Sequence, residues 1–331
     1  MNPGQRTILI ATSVLLTSIA CLPAASAAVP SDARARTDRG IGVNKDTLSP
    51  SGTLLATGGA TDVTIWDAQT LQLLRTLKGH TREVWDVEWS MDSSRLVSGS
   101  HDSNVLLWDL TSEAPPVKLG SHATFVYSVA LSPDDRFAAS GDMHGTIIIW
   151  DTATRASILT LAAHDGSVDS LAWSPDGTFL ASGGSDDTVK LWDLTSPSPS
   201  RTLRGSVGCS VAPCRRRLKW SPDGLRILSG SWDQSVTIWE SATAEILMET
   251  RMPERVSEVA LSPDGLYVAV DQGNEVSILD ASSGKVLHTF SGHPNHWITS
   301  LSWAPLNDIL ISGDHQGTLV VWDLSKVRQK D

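Results

Sequence analysis

Serine, histidine and aspartate within reach of one another are the parts of a hydrolase, and this chain carries them as His80, Ser98 and Asp102. In such a triad the imidazole takes the serine proton while the carboxylate orients the ring. The same types return at His164, Ser182 and Asp186, and a tryptophan follows each set, Trp108 and Trp192. An enzyme needs one such set, and neither has a nucleophile elbow or an evident oxyanion donor. The duplication points to a scaffold that repeats. Other catalytic signatures are absent: no GxxxxGK, no HExxH, no CxxC. His101, His296 and His315, with Met143, stand at spacings that match no metal-ligand pattern. No enzymatic activity, no cofactor and no metal are expected.

The elements that position these residues follow from two landmarks. Apolar runs end at Trp66-Asp67, Trp108-Asp109, Trp150-Asp151, Trp192-Asp193, Trp239-Glu240, Leu279-Asp280 and Trp322-Asp323, at intervals of 42, 42, 42, 47, 40 and 43 residues. Upstream of each lies a second mark: LSPSG, WSMDS, LSPDD, WSPDG, WSPDG, LSPDG and WAPLN. Two marks in register seven times exclude chance. Ser-Pro-Asp-Gly is a turn, with Pro preset at its second position and Gly supplying a permissive backbone. Val, Ile, Leu and Thr fill the runs between turns, as half-buried pleated strands prefer. Each unit reads as a four-stranded antiparallel sheet, and no helical period appears outside the N-terminal leader. One such sheet cannot bury both faces, whereas seven stacked around an axis can. The expected fold is all-β, a seven-bladed β-propeller over residues 41–325 with a tail at 326–331.

With Gly-His and Trp-Asp marks about 40–45 residues apart, the chain resembles the WD-repeat family over about residues 41–324. The resemblance implies that His80, Ser98, Asp102 and Trp108, and likewise His164, Ser182, Asp186 and Trp192, form buried structural chains of hydrogen bonds. It also implies a ring closed by the N-terminal segment 28–40, through an outer strand from about residues 33–43, although ARARTDRGIGV is a poor strand former. The network is expected to be patchy. His144 stands where blade three should carry Asp, and Gln316 does so in blade seven. Blade five keeps Ser229, Asp233 and Trp239 without a His, and blades one and six lack most of the set. The Asp of each Trp-Asp end, such as Asp109, is read as a strand-end turn former.

Thirteen tryptophans beside 4 Phe and 2 Tyr need explaining. Six close repeats, and Trp89, Trp173, Trp220 and Trp303 precede the Ser-Pro-type turn; both classes are core positions. Trp85, Trp232 and Trp297 remain, joined by Phe125 and Tyr127 at equivalent places. By the resemblance all of these lie on one rim, the top face, where His101, His296 and His315 could line the channel with Met143. Aromatics and Arg dominate interface hot spots, so Glu83, Trp85, Phe125, Tyr127, Trp232, Trp297 and Arg216 are the expected partner contacts. An insertion, RGSVGCSVAPCRRRLKW, lands on the same face. Its Arg215, Arg216, Arg217 and Lys219 reverse the local sign, either to receive an acidic partner or to neutralise carboxylates such as Asp169.

Overall the chain is acidic: 26 Lys and Arg against 37 Asp and Glu leave −11. That argues against nucleic-acid binding, which runs on phosphate neutralisation, and against adhesion to anionic lipid. Residues 1–27 have the layout of a secretory signal: Arg6, an apolar stretch from Ile8 to Leu22, then Ala25-Ser26-Ala27 before the cleavage point. Membrane attachment would come only through an uncleaved leader or a lipid on Cys21. Export would let Cys209 and Cys214 form a disulfide. The expectation is an exported, periplasmic, extracellular or membrane-attached, non-catalytic scaffold that binds a protein or peptide on its top face. The alternative is a small-molecule or glycan-binding propeller, or an enzyme with its site at the channel mouth.

Overall fold

The structure, a computed structural model, describes residues 33–38 as backbone, and 44–196, 198–205, 215–293, 297–304 and 309–324 in full. Seven four-stranded antiparallel sheets follow one another along the chain, and no helix occurs among the described residues. Blade one comprises Lys45–Leu48, Leu54–Gly58, Asp62–Asp67 and Leu73–Lys78; blade two comprises Val84–Trp89, Arg95–Ser100, Asn104–Asp109 and Val117–Ser121. Blades three to six repeat the meander from Val126, Val168, Arg216 and Val259. The protein is an all-β, seven-bladed propeller.

Blade seven supplies Ile298–Trp303, Ile309–Asp314 and Thr318–Asp323, and Ala33–Asp38 joins as its fourth strand. Asp38 pairs with Thr318 and Ala33 with Trp322, antiparallel, so the N-terminal segment closes the ring. An outer-edge strand is held by its backbone ladder, so a sequence of poor strand propensity serves there.

Burial follows strand position. The third strand of blade two, NVLLWD, buries Val105, Leu106, Leu107 and Trp108 in succession because neighbours cover both faces. The outer strand of blade one buries only Leu77 of its six residues. Leu161 and Phe290 are the matching anchors of blades three and six. Each core cluster spans two blades, as where Leu228, Val236 and Ile238 of blade five pack with Val259, Val268 and Leu279 of blade six. This close approach explains the recurring Ser-Gly step. A Cβ on Gly99 would lie 2.5 Å from Val126 of the next blade, and one on Gly230 would lie 2.4 Å from Val259.

Candidate functional site: the mouth of the channel

The Ser-His-Asp sets are found inside the blades. Trp108 Nε1–H donates to Ser98 Oγ at 2.8 Å. Ser98 Oγ and His80 Nε2 are 2.7 Å apart, and His80 Nδ1 and Asp102 Oδ2 are 3.0 Å apart. With the tautomer assigned from this network, Ser98 donates to a neutral His80, which donates to an ionised Asp102. Burial pulls His80 below the usual histidine range, against the opposing pull of Asp102. For Asp102 burial pushes the other way, yet N–H bonds from Thr81 and Asn104, with His80, hold the carboxyl low. Blade four repeats the arrangement through Trp192, Ser182, His164 and Asp186 at 2.9, 2.7 and 3.0 Å. Ser98 and Ser182 are 0% exposed. A sealed hydroxyl with its donor and acceptor roles both committed is not a nucleophile.

Two expected gaps are filled. In blade three His144 plays no part; His122 Nδ1 reaches Asp142 Oδ2 at 3.1 Å, and Ser140 and Trp150 complete the chain. In blade seven Gln316 is likewise bypassed: His293 meets Asp314 at 2.9 Å and Ser312 at 2.6 Å. Both aspartates end the second strand, two residues before the expected turn position. From there Asp142 also accepts the N–H groups of His144 and Thr146 at 2.9 Å, so it caps the turn as well. The network is therefore complete in blades two, three, four and seven. The Trp-Asp carboxylates have a separate role, since Asp109 accepts Thr111 N–H and Oγ1–H at the strand end.

Blade five overturns a further expectation. Arg216 is 1% exposed and is not a rim contact. Its Nε donates to Asp187 Oδ1 at 3.0 Å, and its guanidinium lies 3.5 Å from Asp233 Oδ2 and 3.4 Å from Ser229 Oγ. A guanidinium thus stands where other blades use an imidazole, and Trp239 Nε1 is left without an acceptor. The neighbouring Arg217 pairs with Glu258 at 3.1 Å and donates to the carbonyl of Asp169. Lys45 pairs with the same Glu258 at 2.9 Å, so blades one, five and six are tied together by buried charge.

The face where inner strands begin is built on a repeated contact. The turn after the second strand donates an N–H to the carbonyl just before the inner strand: His101 to Glu83, Met143 to Phe125, Ser185 to Ser167, Trp232 to Arg215 and His315 to Trp297. Next comes a β-bulge. The register skips Trp85, Tyr127, Asp169 and Thr299 in blades two, three, four and seven. A bulge re-aims the side chain it frees, and Trp85 and Tyr127 thereby come to lie 5.3 Å apart, half-buried.

These positions assemble a ring stack. Phe125 stacks on His101 at 4.7 Å, and His101 stacks on Trp85 at 4.7 Å. Arg215 lies 5.5 Å from the Trp85 ring, 5.3 Å from Tyr127 and 5.2 Å from Trp232. Arg82 covers Phe125 at 5.0 Å and Arg255 covers Trp232 at 5.5 Å. Guanidinium–ring contacts of this kind contribute about 0.5–1 kcal/mol each at exposed sites. Burial lowers His101, only partly offset by Glu83 at 3.4 Å, and His101 Nε2 has no partner. Trp297 stands apart, 73% exposed. With Trp232, Arg255 and Asp271 it lines a cleft of about 420 Å³. Burial pushes Asp271 up to about 8, against N–H bonds from Glu258 and Ser257.

Sequence reasoning missed Arg82 and Arg255 as parts of this face; it placed His101 at the top of the channel and Arg215 in the basic insertion, without assigning either to an aromatic stack. For His101 a signal existed: it stands three residues after the Ser of the Ser-Gly step, as Trp232 does. The leader, Cys21, Cys209, Cys214 and His296 lie outside the described residues. Among the described residues no group of His, Cys, Asp and Glu could hold a metal ion, and no helix is long and apolar enough to cross a membrane.

The family model "WD domain, G-beta repeat" matches residues 71–109, 114–151, 155–193, 197–240 and 284–323. This chain belongs to the WD40 repeat family. The unmatched stretches contain the first three strands of blades one and six, two of the three blades that lack the histidine network. The chain is also similar to Superkiller complex protein 8 of Dictyostelium discoideum, with 43% identity over 56 residues. That segment is 16% of this chain and 19% of the relative, so the match spans about a fifth of that protein. WD40 propellers are generally non-catalytic scaffolds and typically bind protein partners.

Proposed function

We propose that this WD40 propeller is an exported, non-catalytic scaffold that docks a protein or peptide across the mouth of its channel. The observation that carries the reading is the Phe125–His101–Trp85 stack with Tyr127 beside it. Aromatic groups gathered at a solvent-facing rim are the kind of surface that anchors a partner. Support also comes from the buried sets, whose serines are sealed from substrate. The Dictyostelium relative is, by its name, a protein of a complex. Export rests on the layout of residues 1–27.

The test is site-specific photocrosslinking in native extract, with the probe placed at Trp297 or, on the opposite face, at Met91. One stoichiometric protein crosslink from 297 alone, abolished by Trp85→Ala with Tyr127→Ala, supports the reading. Equal crosslinking from both faces contradicts it. Intact mass tests export: a mature chain starting at Ala28 is expected, and one starting at Met1 removes the claim. The same spectrum, with and without reductant, reports a bridge between Cys209 and Cys214 and a lipid on Cys21. The cleft between Trp232 and Trp297 favours a second reading, a small-molecule or glycan site. Turnover of a metabolite by the purified protein would select an enzyme.

A further inference from the structure

The arginines at the mouth share one surface, unlike Arg136 and Arg201, which lie singly over Phe137 and Phe179 elsewhere. Arg75, Arg95, Arg216, Arg217 and Arg226 each pair with a carboxylate. Arg82, Arg215 and Arg255 carry no ion pair among the described residues, and each has its guanidinium carbon 5.0–5.5 Å from the centre of an aromatic ring of the mouth, Phe125, Trp85 and Trp232 respectively. A stacked guanidinium keeps its N–H edge for a second partner, and that fork matches a carboxylate in shape and charge. Three such forks are therefore spread along one aromatic surface.

The acidic groups nearby do not meet this demand. Glu83 approaches His101 at 3.4 Å. Asp169 is buried below the rim and hydrogen-bonded to Ser167; the charge of Arg215 acts on it, but the two form no ion pair and Oδ2 has no hydrogen-bond partner. Glu254 and Asp271 line the cleft beside Arg255. The chain as a whole carries −11, which repels an extended polyanion. Attraction is confined to the mouth, and the anionic run it accepts must be short.

We infer that the partner presents a short acidic peptide segment, its carboxylates taken edge-on by Arg82, Arg215 and Arg255 while its apolar side chains lie on the rings. This rests on the docking role proposed for the same face. The structure thus assigns a charge class to the partner.

The test uses the purified mature chain and short fluorescein-labelled peptides in fluorescence anisotropy. One peptide alternates Glu with Leu, and its controls carry Gln or Lys in place of Glu. The Glu peptide should bind about tenfold or more tightly than the Gln peptide, and the Lys peptide should not bind. Arg215→Gln should weaken the Glu peptide about tenfold and leave the Gln peptide unchanged. Arg82→Gln and Arg255→Gln, at exposed loop positions, give the same readout if Arg215→Gln does not fold. Equal affinity for Glu and Gln peptides overturns the inference, as does single-stranded DNA that binds as tightly as the Glu peptide. If no peptide binds but crosslinking from Trp297 persists, the acidic assignment fails while the docking face stands.

Discussion

Blades two and five have the same strand plan, the same Ser-Gly step and the same closing tryptophan, yet they begin their inner strands differently. In blade two the register skips one residue: Val84 pairs with Ser100, Asp86 pairs with Gly99, and Trp85 between them turns to the mouth. In blade five nothing is skipped, since Arg216 pairs with Ser231 and Arg217 with Gly230. Arg216 therefore turns inward, takes Ser229 and leaves the indole of Trp239 unbonded. One bulged residue decides whether the side chain at the start of a blade serves the surface or the core. It also separates two systems built from similar residue types, a sealed network that holds each blade and a ring stack that faces solvent.

The comparison is broken most severely at Arg216. Arg216→Met leaves the buried Asp233 carboxylate without its cation and should cost about 3 kcal/mol or more, read as a lower urea midpoint. A neutral outcome would mean that the guanidinium is not integral to blade five. Next in size is the blade three reassignment. Asp142→Ala should lose about 1–3 kcal/mol by orphaning His122 and the turn, while His144→Ala stays within about 0.5 kcal/mol. The reverse ranking would restore the turn position as the network site.

Asp271 sharpens the comparison through pH. Its folded value lies near 8 against 3.8 in its ordinary state, so the fold keeps a proton that the unfolded chain releases. Stability should decline as pH rises from about 4 to about 8 and level off above. Asp271→Asn keeps an acceptor for Ser257 and Glu258 and should flatten that decline, gaining on the order of 1 kcal/mol at pH 9 over wild type. Parallel pH profiles would show Asp271 to be ionised throughout. The network predicts the opposite slope in acid. His80 is held low, so its contribution is complete above its unfolded value of 6.5 and is lost below it. The smallest effect is at Trp297, which is so exposed that Trp297→Ala should move the midpoint by under about 0.5 kcal/mol while weakening the partner.

Much of this was legible in the chain. The Trp-Asp and Ser-Pro-Asp-Gly marks repeat because each blade ends its third strand and turns its first hairpin the same way. The network was read short in blades three and seven because counting from Ser98 puts the aspartate four residues on. In those blades the carboxylate arrives two residues on, from the strand itself, as Asp142 and Asp314. Position counting cannot see that reach. Arg216 was placed on the rim as part of the insertion's basic run, and counted back from Trp220 it does match Trp85 counted back from Trp89. Only the register shows that blade five has no bulge. His101 was placed at the top of the channel but weighed only as a metal ligand, whereas its neighbours turn it into a stacking ring.

The central claim, that the ring stack binds while the network holds the fold, is tested most directly by one paired measurement. Photocrosslinking from Trp297 and urea midpoints would be compared for Trp85→Ala with Tyr127→Ala and for Asp102→Ala. The account predicts that the first variant loses the crosslinked partner with a midpoint within about 1 kcal/mol of wild type. Asp102→Ala should lose about 1–3 kcal/mol and, where folded, keep the partner. A crosslink that survives removal of both rings would contradict it.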